Sequence, residues 1–213
     1  MATRACTKGA RSVGSTNRVC MSSSREEVSR ALAAWLRGPR APIPEPARST
    51  QPPLALFLCR ENAAASIMAE ALLRHLAKAR VRAASAGDCP AARVNPHALE
   101  CLRAHGIATT GLRTKGWGAY FGAYRPQIRF LITLSEVDAL KANWNQDASR
   151  PVKAHWAMPD PAAVLGSEVD IGLAFQEAFG TLHARIQLFL ALPLGRLNDR
   201  ALSQELARIG EVS

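Results

Sequence analysis

"LALFLCRENAAASIMAEALLRHLA", residues 54–77, decides the fold. An unbroken apolar run ends in Cys59, a short polar loop follows, and apolar residues then recur at helical spacing, which reads as a buried strand turning through a loop into a helix over 66–80. Strands buried on both faces belong to parallel sheets covered by helices. The junction is also suited to anions, because unpaired amides and the helix dipole converge where a helix begins. The same field favours thiolate over thiol, so Cys59 stands where a reactive sulfur is made. By position alone it reads equally well as a small core residue. The loop has neither G-x-x-x-x-G-K-[ST] nor G-x-G-x-x-G, which excludes nucleotide binding by those routes.

Working outward, "VRAASAG" (81–87), "IRFLITL" (128–134) and "VKAHWAM" (152–158) read as further strands. "HALECLRAHG" (97–106) reads as a helix closed by Gly106, and two more helices are expected over 168–190 and 198–209. Alternating strands and helices predict a parallel, three-layer α/β sheet with right-handed crossovers. Ligands bind such sheets at the carboxyl ends of the strands. Cys59, Cys89, Ser135 and Asp160 all fall at or just after predicted strand ends.

Before this domain, residues 1–53 form a basic, proline-rich leader. It holds nine Lys/Arg and three Glu, so most of the chain's net charge of +10 belongs to it and not to the domain over 54–213. A basic leader is a weak electrostatic hint of polyanion contact, and nucleic acid is not the expected partner. Residues 1–20 contain no acid and resemble a transit segment in composition, but lack an amphipathic stripe; a start upstream of the working one, at Met21, is the preferred reading. Residues 25–37 place Val28, Leu32 and Leu36 at helical spacing, and "GPRAPIPEPARSTQPP" (38–53), with six prolines, reads as an extended linker. Five cysteines without paired C-x-x-C spacing imply neither a metal site nor a disulfide framework. No apolar run is long enough for a membrane span, and a reducing cytoplasm is the expected compartment.

Five ordered segments carry a family resemblance: "LFLCRENAAASIMAEALLR", "ASAGDCPAARVNPHALECLRAHGI", "FLITLSEVD", "HWAMPDPAAVLGS" and "RIQLFLALPLGRLNDRALSQELARIG". Together they resemble the low-molecular-weight protein tyrosine phosphatase superfamily, in particular its bacterial arsenate reductase branch. The resemblance implies a four-stranded parallel sheet, a Cys-x5-Arg-Ser oxyanion loop and a late Asp-Pro acid loop. On it, Cys59 matches the nucleophile, Asn62 the asparagine that shapes the loop, Ser66 the serine that steadies the thiolate, and Asp160 the general acid. These roles are chemically coherent: a thiolate attacks, backbone donors hold the anion, and a carboxylic acid assists departure. Read without the family, Asp160 before Pro161 is a turn residue and Asn95 before Pro96 a helix-entry cap.

The departures are equally specific. Ala65 stands where the family has the arginine that clamps the oxyanion, a donor whose loss costs about 10²–10³ in rate. The relay cysteine after the third strand is replaced by Ser135, and "ALKANWNQ" (139–146) offers no third cysteine, so the three-cysteine relay to thioredoxin is absent in its usual form. Arg60 is a conceivable substitute cation and Cys89 a conceivable resolving thiol, while Cys101 is expected in the core. An external thiol reductant, thioredoxin or glutaredoxin with glutathione, would otherwise resolve a Cys59 adduct; no bound cofactor or metal is implied. Trp117, Tyr120, Phe121 and Tyr124 read as packing aromatics, and His155-Trp156 as support for the acid loop. Two functions follow: an arsenate reductase-like or phosphatase-like enzyme acting on arsenate or a phosphate-like oxyanion, or a degenerate relative that binds an oxyanion or a protein partner without turnover.

Overall fold

The computed structural model describes residues 51–120, 127–135 and 150–212, all within one compact unit, Ser49–Ser213. The leader over 1–50, with its expected helix and with Cys6 and Cys20, lies outside the described residues. So do Phe121, Tyr124 and the stretch 139–146.

Four strands, β1 (Leu54–Cys59), β2 (Arg82–Gly87), β3 (Ile128–Thr133) and β4 (Val152–His155), pair in parallel in the order β2-β1-β3-β4. Between and after them run α1 (Ala65–Ala77), α2 (Pro96–Ala104), α3 (Glu168–Ala191) and α4 (Asp199–Gly210), with single 3-10 turns at Trp117–Tyr120 and Pro161–Ala163. This is the parallel α/β sheet expected from the sequence.

Alternation along β1 sorts the core. Ala55 and Phe57 point into a large cluster with residues of all four helices, including Met68, Leu102, Phe179 and Leu206. Leu54, Leu56 and Leu58 point the other way, into a smaller cluster with Ile128 and Leu131 against which Trp117 and Tyr120 pack. The starts of α2 and α3 have local causes. Asn95 accepts from the His97 amide at 2.9 Å to cap α2, as its place before Pro96 suggested. Ser167 and Asp170 form a reciprocal capping box at the start of α3, and the Ser167 hydroxyl and amide, both donating to Asp170 Oδ2, hold that carboxyl below the usual carboxylate range.

The chain steps from β1 outward to β2, then returns to place β3 on the other side of β1. The reversal opens a crevice at the carboxyl ends of β1 and β3, where α/β sheets bind ligands. Strand β4 is shorter than its apolar run suggested. The Trp156 amide still pairs with the Thr133 carbonyl at 2.7 Å, but Arg185 on α3 then captures the Trp156 and Ala157 carbonyls, both at 3.1 Å. Those carbonyls are thereby withdrawn from any ladder, and the chain turns into the segment carrying Asp160. Among the described residues no helix is long and apolar enough to cross a membrane.

Candidate active site

Residues after β1, β3 and β4 line one open cavity of about 280 Å³. The first strand contributes Cys59, Arg60, Glu61 and Ala63–Ala65, the third Leu134 and Ser135, and the fourth Met158, Pro159, Asp160 and Ala162.

Cys59 is the last residue of β1 and is partly exposed. Its sulfur lies 2.9 Å from Ser66 Oγ and receives the Asn62 amide at 3.2 Å. The first contact can run either way, and the surrounding hydrogen bonds favour one direction. Asn62 Oδ1 accepts from the Lys115 amide at 2.7 Å, which orients the carboxamide so that Nδ2 donates to both Ser66 Oγ and Ser85 Oγ, each at 2.9 Å. Ser85 in turn gives its hydrogen to Glu70 Oε2 at 2.5 Å. Ser66 thus already accepts, and its own hydrogen is left for the Cys59 sulfur. The sulfur thus faces a hydroxyl and an amide N–H, both able to donate to it.

The web ends in charge. Glu70, 4% exposed, sits one helical turn beyond Ser66 and is paired with Lys115 Nζ at 3.0 Å and with Arg74. A buried carboxylate held this way is satisfied on every side. Asn62 adopts a left-handed backbone, φ +50°, which asparagine tolerates better than most residues. Gly87 presses against the loop so closely that a Cβ there would lie 2.8 Å from both Arg60 O and Asn62 N. The second strand end is stitched to the loop as well, with the Cys89 amide donating to Arg60 O and the Ala91 amide to Glu61 O, both at 2.8 Å.

Toward the cavity the loop is bare by comparison. Helix α1 makes its first hydrogen bond from Met68 N to Ala64 O at 3.0 Å, and Ala64 provides no side-chain cap. The amides of Ala65, Ser66 and Ile67 consequently have no acceptor within the helix, which leaves donors and the positive end of the dipole for an anion. The Ala65 side chain is a methyl group in the cavity wall. Arg60 also lines the cavity and is exposed. Asp160 is exposed, with Oδ1 accepting from the Ala162 amide at 3.0 Å, so the residue read as a turn before Pro161 caps the 3-10 turn that follows.

The structure therefore brings Cys59, Arg60, Ala65, Ser135 and Asp160 to one cavity, with Asn62 and Ser66 beneath it. Cys89 is exposed and is not among the lining residues, since β2 lies on the opposite side of β1 from the crevice. Cys101 is buried at 5% exposure, and burial pushes its thiol up from the usual range.

Residues 55–123 match the low molecular weight phosphotyrosine protein phosphatase family model. That segment holds β1, the loop, α1, β2, α2 and the first 3-10 turn, and the superfamily resemblance stands on it. Among solved structures, a thioredoxin-dependent arsenate reductase of Corynebacterium glutamicum is 24% identical with a TM-score of 0.47, over 66% of this chain and 64% of its own. An arsenate reductase of Archaeoglobus fulgidus is 22% identical with a TM-score of 0.46, over 62% and 98%. The tyrosine phosphatase Wzb of Escherichia coli K30, in complex with sulphate, is 19% identical with a TM-score of 0.46, over 63% and 96%. These are likenesses of fold. No match emerged among curated proteins.

Several residues that build this loop were not singled out by the sequence reading. Glu70 carried a usable signal, four residues after Ser66 on the same helix face and otherwise surrounded by apolar neighbours. Ser85, Gly87 and Lys115 carried none, because their roles depend on which strand lies beside β1. Arg185 was signalled by a cation on the buried face of α3 between Leu182, Ile186 and Phe189; burial lowers its pKa from the usual guanidinium value.

Proposed function

We propose that the protein handles a tetrahedral oxyanion at the Cys59 loop, as an arsenate reductase-like or phosphatase-like enzyme in which Cys59 is the nucleophile and Asp160 the general acid. The observation that carries this reading is the Cys59 sulfur, accepting from the Asn62 amide and facing Ser66, in the cavity that Asp160 also lines. In the phosphatase direction, the sulfur attacks phosphorus and Asp160 delivers its proton to the departing oxygen. Water then attacks the phosphorus of the cysteinyl phosphate, the S–P bond breaks to release phosphate and the Cys59 thiolate, and the proton lost by the water goes to Asp160. In the reductase direction, Cys59 forms an arsenate adduct, a thiol pair is oxidised to a disulfide, and arsenic gains the two electrons. The pair would come from glutathione with glutaredoxin or from thioredoxin, in a reducing cytoplasm. Cys89 is the internal candidate for resolving thiol, its amide being tied to the residue after Cys59.

One observation favours a second reading, a degenerate relative that binds an oxyanion or a protein partner without turnover. Ala65 puts a methyl group in the cavity wall, so no guanidinium clamp grips the transition state from that position. Arsenate-dependent reductant consumption, measured with the thioredoxin and the glutathione–glutaredoxin systems side by side, separates the two. The enzymatic reading predicts consumption that Cys59→Ser abolishes; oxyanion binding with no consumption in either system, and no aryl phosphate hydrolysis, supports the degenerate one. Peptide mass mapping after mild oxidation tests Cys89: if it resolves Cys59, a Cys59–Cys89 disulfide forms, and its absence removes that route.

A further inference from the structure

We propose that the Ser135 hydroxyl is a ligand of the oxyanion held over Cys59, a specificity-determining contact supplied from β3. The inference rests on the oxyanion reading of the Cys59 loop and adds to it a residue from the far wall. Three observations carry it. Among the described residues, Ser135 Oγ is the buried side-chain polar atom that has no hydrogen-bond partner. Native proteins rarely leave such a group unpaired, and an exception calls for an explanation. Ser135 also lines the same cavity as Cys59 and Asp160.

Third, its backbone is anchored on both sides of the crevice. The preceding residue, Leu134, donates its amide to Leu58 O at 2.8 Å and accepts from the Met158 amide at 3.3 Å, so β1 and the acid segment jointly fix where residue 135 begins. The hydroxyl is turned from solvent in this rotamer. Rotation about χ1 is a move between staggered wells that breaks no hydrogen bond, because Oγ makes none. Ser135 is thus the polar side chain at the cavity with nothing to lose by turning toward a ligand.

The chemistry suits the site. The Ala65 position offers the anion no cation, and the donors after β1 are main-chain amides approaching from the α1 side. A hydroxyl on β3 reaches the anion from the opposite wall, and because it both donates and accepts, it serves a protonated or an ionised oxygen alike. Asp160 enters from a third direction, after β4.

The test is calorimetric titration of the full chain with inorganic phosphate, arsenate and sulfate, alongside the Tm of the ligand-free protein, for wild type, Ser135→Ala and Ser135→Cys. The expected result is binding by wild type, Kd raised about 5- to 10-fold in both variants as for loss of one hydrogen bond, and a ligand-free Tm that is unchanged or higher. Ser135→Cys keeps nearly the same volume, so the comparison holds even if the alanine variant folds poorly. A purely structural hydroxyl would lower the ligand-free Tm and leave Kd alone, and that outcome overturns the inference. Equal affinity in all three proteins overturns it too while leaving the oxyanion reading intact. No binding of any of the three anions by wild type overturns the oxyanion reading, and Ser135's role with it.

Discussion

The loop after β1 has two sides made of different material. Its inner side is a closed polar web in which Asn62, Ser66, Ser85, Glu70 and Lys115 satisfy one another down to a buried ion pair. Its outer side is a row of alanines, Ala63 to Ala65, facing Leu134 and Met158 across the cavity. The difference follows from what each side costs to change. An inner residue that loses its partner strands buried donors, a penalty of about 1–3 kcal/mol for each. Alanine in the first turn of a helix costs the fold nothing, being the best helix former. An outer residue can therefore change without unfolding the chain, whereas a change in the inner frame beneath Cys59 is costly. Stability thus holds the inner side in place, and it places no such demand on the outer side.

The contrast can be broken at several points. The largest effect is expected from Ala65→Arg, which restores a cation to an otherwise intact frame: hydrolysis of a small aryl phosphate should rise by at least ~10²-fold, the amount one oxyanion donor supplies. No gain in that assay would mean the inner web does not preserve a working loop. Next is Asn62→Ala, which removes the residue joining Lys115, Ser66 and Ser85. It should cost about 2–3 kcal/mol, seen as a Tm lower by roughly 4–12 °C; an unchanged melting curve would show the web to be dispensable. A smaller loss, about 1–2 kcal/mol, is expected for Arg185→Met, which orphans the Trp156, Ala157 and Val212 carbonyls. Urea titration checks it, and here the predicted damage is to the acid segment, so the Cys59 web should survive.

The smallest effect is a pH slope. Burial first, and the Glu70 carboxylate second, push the Tyr120 phenol up to about 12 from an ordinary value near 10, with Arg113 pulling the other way. The folded state thus favours the neutral phenol. That contribution is fully present below pH 10, where the unfolded phenol is still protonated, and is lost as pH rises toward about 12. Tyr120→Phe should flatten the fall in stability over that window and leave neutral pH almost unaffected; an unaltered alkaline slope would place the titrating group elsewhere.

Much of this was legible because local signals and tertiary demands agree along 54–77. The apolar run, the cysteine and the helical spacing each point to strand, loop and helix, and the structure has all three. Asn95 was readable as a cap for the same reason, since a proline after a capping residue favours a helix entry, whereas Asp160 before Pro161 was readable only as a turn residue. What the sequence concealed was lateral. Lys115 meets Glu70 across 45 residues, and Gly87 meets Asn62 only because β2 lies beside β1. The placement of Cys89 away from the cavity depends equally on strand order, which a list of strand ends does not contain. The early end of β4 was hidden as well, because Arg185, some thirty residues on, decides where its carbonyls go.

Site-resolved alkylation of the native protein tests the central claim most directly. Among the cysteines of the described residues, Cys89 is exposed, Cys59 only partly so and Cys101 buried, so of these three access alone would have iodoacetamide modify Cys89 first. If the web holds Cys59 as an acceptor sulfur beneath an oxyanion nest, peptide mass mapping will find Cys59 modified ahead of Cys89 and Cys101, and added phosphate or arsenate will slow labelling at Cys59 alone. Labelling that follows exposure, with Cys89 first and no protection of Cys59 by either anion, would contradict the account.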